Sequence, residues 1–418
     1  MHSKTLCIGM RTAAALLAIM ILVMTVGCGN DSKKLTFTNS DVNVRQIQAY
    51  NKFSLQMTEQ LLQEARGDNV FVSPLSMTFA LSLAMNGAGG NTLKEMKAAL
   101  QTDDIALEAI NQGSQVLRHL LEQSDPEVEL DIANALWLRK GISLNEAFVE
   151  QNKRYFDAQI HELDFSAESA VHTINKWVKK QTRKKIDRIL ESSIPDQTRL
   201  LLMNAIYFKA GWQKAFEADA THDAPFRLMG GSTVTVPMMR QTDNFEYLNG
   251  GGRYEAIRLP YSQGTWNMII VLPGEEVTLD ELEAELLRKP EMWRSGYTEG
   301  KGIIELPRFN ITYKAKLNDA LQSLGMKEAF ASEHADFSGM IKDQSTLFIG
   351  NVVHKAFIEV NEQGTEAAAV TSIQMDGSSE SPQYDFRMTV NRPFFFAVEE
   401  QKTGALVFLG SIKDPTKE

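Results

Sequence analysis

Two cysteines, Cys7 and Cys28, are all that this 418-residue chain has. From residue 29 onward there is no thiol, so no disulfide can staple the body of the chain and packing must hold it together. The seven histidines are scattered, and no cluster has the spacing of metal ligands. His-Glu-x-x-His and Gly-x-Ser-x-Gly are absent, and Gly87-Ala-Gly-Gly-Asn-Thr92 lacks the lysine of a Walker loop. Nothing orders the Ser, His and Asp residues as a triad, so no enzyme activity, cofactor or metal is expected. A formal net charge of −10 argues against nucleic acid as the main partner. Lys and Arg are missing altogether from Ala356 to Phe386. The remainder, 43% hydrophobic and 23% charged, suits a globular protein with a large core.

The N-terminus reads as a processing segment rather than as fold. Lys4 and Arg11 precede an apolar run from Thr12 to Val26, which ends in Thr25-Val-Gly-Cys28. A basic start, an apolar stretch and a small residue before Cys form the pattern of a bacterial lipoprotein signal. Residues 1–27 are expected to be removed and Cys28 to carry lipid, anchoring an exported protein to a membrane. Thr25 departs from the Leu usual at that place, and an ordinary secretory signal cut elsewhere is the alternative. The run is short for a permanent transmembrane helix, which needs about 20 apolar residues. Removal of Lys4 and Arg11, with no acid, would make the mature charge two units more negative than −10. Residues 28–42 read as the lipidated Cys and a polar tether, and 43–418 as one domain.

Along that domain, Val44 to Ala65 has the apolar spacing of an amphipathic helix. Val70-Phe-Val72 reads as a strand, and Ser73-Pro-Leu-Ser76 opens a second helix with Pro near its start. Helices are expected at 93–101, 106–123, 144–157, 168–184, 279–287 and 316–330. Val128 to Leu138 alternates as a strand, and 199–211 is a near-continuous apolar run of the kind found in buried central strands. Strands dominate 222–275, 302–312 and the chain from 347 to its end. Helices early and strands late give an α+β fold.

The most informative stretch follows the strand-like Ala356-Phe-Ile-Glu-Val360. Gly364 permits a bend, and then come Thr365, Glu366, Ala367, Ala368, Ala369 and Val370, with no bulky charge from Ala367 to Met375. On a strand Thr365, Ala367, Ala369, Thr371, Ile373 and Met375 share one face. Gly377-Ser-Ser-Glu-Ser-Pro382 nevertheless reads as exposed loop. A latent strand is built into a loop.

This stretch resembles the hinge and reactive loop of the serpins, the serine protease inhibitor family. Blocks elsewhere match in family order: Asn69-Val-Phe-Val-Ser-Pro-Leu-Ser76, Asn134-Ala-Leu-Trp137, Ile174-Asn-Lys-Trp-Val178 and Met203-Asn-Ala-Ile-Tyr-Phe-Lys-Ala-Gly-Trp212. Leu306-Pro-Arg-Phe309, Asp336-Phe-Ser-Gly339, Val353-His-Lys-Ala356, Asn391-Arg-Pro-Phe394 and Phe408-Leu-Gly-Ser-Ile-Lys-Asp-Pro415 follow. The resemblance implies the serpin fold, about eight or nine helices around three β-sheets, with a large central sheet and a loop at 362–388.

It implies a suicide-substrate inhibitor. A protease would form an acyl-enzyme on the loop, the hinge would enter the central sheet as a new strand, and deacylation would stall. The gain, on the order of ten kcal/mol, comes from strand hydrogen bonds and from burial of Ile373 and Met375. Counting about fourteen residues past Gly364 puts the scissile bond at Ser378–Ser379, with Met375, Gly377 and Ser379 as nearby alternatives. Without a basic residue, trypsin-like targets are disfavoured and elastase-like or subtilisin-like serine proteases are expected, with cysteine proteases as a further class. The resemblance also implies a polar cluster under the sheet from Ser73, Ser76, Asn204 and His354, and a cluster of Trp212, Arg308 and Glu362 where the hinge enters. Family members often carry Lys where this chain has Arg308. In heparin-binding members the basic helix would fall near residues 106–122; here it offers only Arg118 and His119, so heparin activation is not expected. The basic run Lys179-Lys-Gln-Thr-Arg-Lys-Lys185 reads as a solvated helix end, with binding of a polyanion or anionic lipid as the alternative. A monomer is expected. The competing readings are a non-inhibitory serpin acting as a binding or chaperone-like protein, and a solute-binding lipoprotein or hydrolase.

Overall fold

The strand β4 (Leu200–Gly211), apolar but for Asn204 and Lys209, is the spine of the structure and is buried along nearly its whole length. The structure is a computed structural model and describes residues 36–65, 67–342, 346–365 and 383–417. Cys28, the expected signal at 1–27, Glu366, Ala367, Ala368, Ala369, Val370 and the Ser378–Ser379 bond lie outside the described residues. From Thr38 onward the chain forms one compact unit.

The early helices are α1 (Val44–Ala65), α2 (Pro74–Met85), α3 (Gly90–Ala99) and α4 (Leu107–Gln123), with the short strand β1 (Val70–Val72) after α1. The sequence expectation for α1 holds to the residue, because one face carries Ile47, Tyr50, Phe53 and Leu61 into the core. α2 is buried on every side. Ser73 caps it by accepting from the Ser76 N–H, and Pro74 sits in its first turn where no amide donor is needed. Then come β2 (Glu129–Arg139), α5 (Glu146–Phe156), β3 (Gln159–Leu163) and α6 (Ser169–Gln181), followed by β4. Four strands follow, β5 (His222–Arg227), β6 (Thr233–Asn249), β7 (Tyr254–Tyr261) and β8 (Trp266–Pro273). After α7 (Leu279–Arg288) and α8 (Glu291–Arg294) lie β9 (Thr298–Pro307), β10 (Phe309–Lys316) and α9 (Asn318–Ser323). The chain finishes with β11 (Ile349–Asn361), β12 (Gly364–Thr365), β13 (Phe386–Thr389), β14 (Phe394–Glu400) and β15 (Ala405–Ile412).

The helix expected over 316–330 is shorter than its sequence window. α9 stops at Ser323, Gly325 takes φ +101°, and a single 3-10 turn at Glu328–Phe330 follows. A left-handed residue ends a helix. β3 and α8 carried no clear sequence signal.

Hydrogen bonding among the described residues groups the strands into two sheets. One has six strands in the order β10-β11-β12-β4-β2-β3; the other has nine. Two of the three sheets implied by the resemblance are fused through the 17-residue β6, which pairs with β5, β9 and β7 along successive parts of its length. The architecture is α+β with a large central sheet.

The six-stranded sheet positions everything that follows. β11 and β4 pair directly and in parallel from Ile349↔Leu200 to Ala356↔Ile206. Past that point they diverge, and β12 lies between them, antiparallel to both. Even-numbered residues of β4 (Leu200, Leu202, Ile206, Phe208, Ala210) pack into the main core with α2. The odd-numbered Leu201, Met203 and Ala205 join a second core with Ile174, Trp177 and Val178 of α6.

Candidate functional site

Gly364 and Thr365 are the described part of the hinge, and they already sit in the sheet. Thr365 aligns with Val360 on β11 and Ala210 on β4. Gly364 has φ +141°, and a Cβ there would come within 2.2 Å of the Ala210 carbonyl oxygen and 2.6 Å of Gly211 Cα. Only glycine fits, because the obstacle is backbone that no rotamer change can relieve. The Thr365 side chain is buried on the main-core face, its hydroxyl 2.8 Å from that of Tyr261. Burial raises the Tyr261 phenol well above its ordinary pKa, so it remains an O–H group.

Trp212, Arg308 and Glu362 come together just outside β12. Arg308 Nε donates to both Glu362 carboxylate oxygens at 2.7 and 2.8 Å, and Nη2 makes a further contact with Oε1. The Thr221 hydroxyl donates to the same Oε1 at 2.5 Å. Burial pushes the Glu362 carboxyl up, but the hydrogen bonds from Arg308 and Thr221 outweigh it and hold the group below the usual carboxylate range. Arg supplies a bidentate fork here that a Lys could not. Trp212 donates from Nε1 to the Asn361 carbonyl at 2.9 Å and stacks on Tyr261, with ring centres 4.4 Å apart. Its backbone N–H donates to the Gln363 carbonyl, and that of Phe216 to the Glu362 carbonyl. The turn before the hinge is thus pinned by side chains and backbone together.

Ser73, Ser76, Asn204 and His354 also meet, under the seam between β11 and β4. His354 and Asn204 are aligned neighbours across that seam, and Asn134 of β2 is aligned with Asn204 on its other side. The Ser73 N–H donates to His354 Nε2 at 3.3 Å, so the ring proton sits on Nδ1 and goes to Asn204 Oδ1 at 2.6 Å. Ser76 Oγ donates to the same oxygen at 2.8 Å, and Asn204 Nδ2 donates to the Ser76 carbonyl and to Asn134 Oδ1. Every polar group of Asn204 is satisfied. Full burial pushes His354 down to about 3, so the ring is neutral at any ordinary pH.

Sequence reasoning missed Thr221, Tyr261 and Asn134 as partners. Asn134 stood in a quoted motif, but nothing marked its side chain as part of the cluster. Thr221 and Tyr261 approach the hinge from 141 and 104 residues away and carried no local signal. Among the described residues, no group of His, Cys, Asp or Glu could hold a metal ion, and no helix is long and apolar enough to cross a membrane.

A large sheet with Gly364 and Thr365 already entered between two diverging strands, above a closed polar seam, is the arrangement that the resemblance implied. The chain belongs to the serpin family: the model described as serpin (serine protease inhibitor) matches residues 48–415. Human neuroserpin is 32% identical over 88% of this chain and 91% of that protein. Bovine leukocyte elastase inhibitor is 34% identical over 89% of this chain and all of its own length. Among solved structures, the thermophilic serpin tengpin in its native state superposes with a TM-score of 0.81 at 29% identity, covering 91% of this chain and 96% of that one. Human thyroxine-binding globulin also superposes at 0.81 and 29%, over 89% and 99%.

Proposed function

We propose that this protein inhibits serine endopeptidases as a suicide substrate. A protease serine attacks the carbonyl carbon of Ser378, the ester forms, and Ser379 leaves with the new amino terminus. The hinge then continues the strand that β12 begins. Thr365 faces the main core, so Ala367, Ala369, Thr371, Ile373 and Met375 would follow on that face and Glu366, Ala368 and Val370 on the other. Insertion must part the seven aligned residue pairs of β11 and β4, His354↔Asn204 among them. The polar cluster there can exchange hydrogen bonds as the strands separate, where an apolar contact would simply be lost.

The observation that carries this reading is the placement of Gly364 and Thr365 between strands that pair directly below them. The hinge sequence adds small residues where entry must be fast. Ser378 suits proteases with small or apolar pockets, elastase-like or subtilisin-like. The protein would act as a monomer, exported and held to a membrane by lipid on Cys28. A binding protein without inhibitory activity is the second reading, favoured by the equally close superposition of thyroxine-binding globulin.

The test mixes the protein with elastase-like and subtilisin-like proteases on a denaturing gel. A band that survives denaturation, with a released fragment starting at Ser379, supports suicide inhibition and fixes the bond. Clean cleavage without a complex for every protease supports the second reading.

A further inference from the structure

The basic run Lys179–Lys185 has no part in the mechanism above; Lys179, Lys180, Arg183 and Lys184 are exposed, as in a solvated helix end, but two of its side chains also grip the sheet. After α6 the chain turns over residues 182–186 on the sheet face opposite α2. Thr182 closes the turn: its hydroxyl donates to the Val178 carbonyl at 2.9 Å and accepts from the Ile186 N–H at 3.1 Å. Arg183 and Lys184 have φ of +48° and +71°, two consecutive non-glycine residues in the left-handed region. Such backbone persists only where its surroundings hold it.

Two grips hold it. Arg183 lies 5.1 Å above the Tyr207 ring of β4, and its Nε donates to Asp131 of β2 at 2.8 Å, while its guanidinium also pairs with Glu129 of β2. Lys185 Nζ lies 5.2 Å above the Phe357 ring of β11 and 3.5 Å from the Glu359 carboxylate of the same strand. Further along, Lys355 of β11 donates to the Arg188 carbonyl, and Ile186 and Ile189 are buried in the second core with Val353 and Phe357.

The position of these grips is the point. Ala356↔Ile206 is the last direct pair of β11 with β4. Phe357 and Tyr207 are therefore the first residues beyond it, one on each lip of the opening. Arg183 holds one lip and Lys185 the other, from a turn only a few residues long.

We propose that Arg183 and Lys185 are positioning residues that latch the seam and set the rate at which the hinge enters the sheet. The strands cannot part to admit a residue until one grip releases. The inference rests on the insertion reading. The charged side chains are a third to a half exposed. Salt screens such pairs, so ionic strength loosens the latch.

The test uses the purified protein and a fluorescent synthetic peptide with the sequence of residues 365–376, its uptake followed by anisotropy. Wild type should take up peptide several-fold faster at 500 mM than at 20 mM sodium chloride, by roughly the release of two such pairs. The double variant Arg183→Gln/Lys185→Gln should be about tenfold faster than wild type at low salt and indifferent to salt. With Arg183→Gln kept, the charge swap Lys185→Glu with Glu359→Lys should bring back the salt response that Arg183→Gln/Lys185→Gln lacks, which a purely structural role for Lys185 would not do. Equal rates and equal salt responses for wild type and the double variant overturn the latch alone. A wild type that takes up no peptide and traps no protease overturns the insertion reading and the latch with it. Should the double variant not fold, a flat salt profile for wild type is sufficient to overturn the latch.

Discussion

Thr365 and Tyr261 share a hydrogen bond of 2.8 Å between their hydroxyls, both side chains buried where the hinge first enters the sheet. In the proposed mechanism Thr365 is the first inward residue of the new strand, and at 1% exposure a long cation in its place would have to be buried. Thr365→Arg should turn the inhibitor into a substrate, cleaved at the same bond with no complex surviving a denaturing gel. Inhibition equal to wild type would contradict the insertion mechanism.

Gly364 makes a related prediction about the resting state. Gly364→Ala sets a Cβ against the Ala210 carbonyl and Gly211 Cα at a φ that alanine rarely adopts. The clash should expel β12 and lower stability by roughly 1–3 kcal/mol, read as a drop in the denaturant midpoint. Protease cleavage of the loop should persist while trapping falls.

Arg308→Ala leaves the Glu362 carboxylate buried beside Thr221 alone. Because Arg308 is nearly half exposed, the cost is screened and should be about 1–2 kcal/mol. The Glu362 carboxyl is held below its ordinary value of 4.5, so its stabilisation is complete above that pH and is lost as pH falls through the lower folded value. The acid limb of the stability curve should be shallower in Arg308→Ala than in wild type, measured by urea unfolding from pH 3 to 6.

Two buried groups give opposing pH slopes. His354 is depressed from 6.5 to about 3, so its contribution is whole above pH 6.5 and is lost on acidification, about 2 kcal/mol by pH 5. Glu283 of α7 accepts from the Ser411 hydroxyl, near Lys413 and Asp280. Burial raises its carboxyl to about 7, so its contribution is whole below pH 4.5 and is lost as pH rises to 7, about 3 kcal/mol in all. Between about pH 4.5 and 6.5 the two nearly cancel. Glu283→Gln should therefore uncover a stability that climbs with pH across that window, and His354→Gln one that falls. Identical pH profiles for all three proteins would contradict both assignments.

Cys28→Ala should release the protein from membranes into the soluble fraction after lysis. Continued membrane association would argue against lipid on Cys28.

The sequence made most of the scaffold legible where one segment carried its own period. The buried face of α1 and the apolar run of β4 announced themselves within their own residues. Where burial depends on a distant neighbour the signal vanished: β3, Gln-Ile-His-Glu-Leu, is a half-buried edge strand with no alternation. The helix expected over 316–330 was read through Gly325, whose left-handed backbone only the fold reveals. The site was legible through resemblance rather than through residue chemistry. Arg308 and Glu362, 54 residues apart in sequence, are ordinary surface charges until the fold brings them together, and Thr221 and Tyr261 remained invisible to the end.

No cysteine follows residue 28, so nothing covalent ties β11 to β4. In the proposed mechanism the resting form is closed only by hydrogen bonds, packed rings and ion pairs, and a more stable arrangement lies beyond them. Each molecule then has an age. Heat shortens it steeply, because barriers of this kind carry large activation enthalpies. In a stored sample, the fraction still able to trap a protease would work as a clock, recording time and temperature in molecules that show no chemical damage at all.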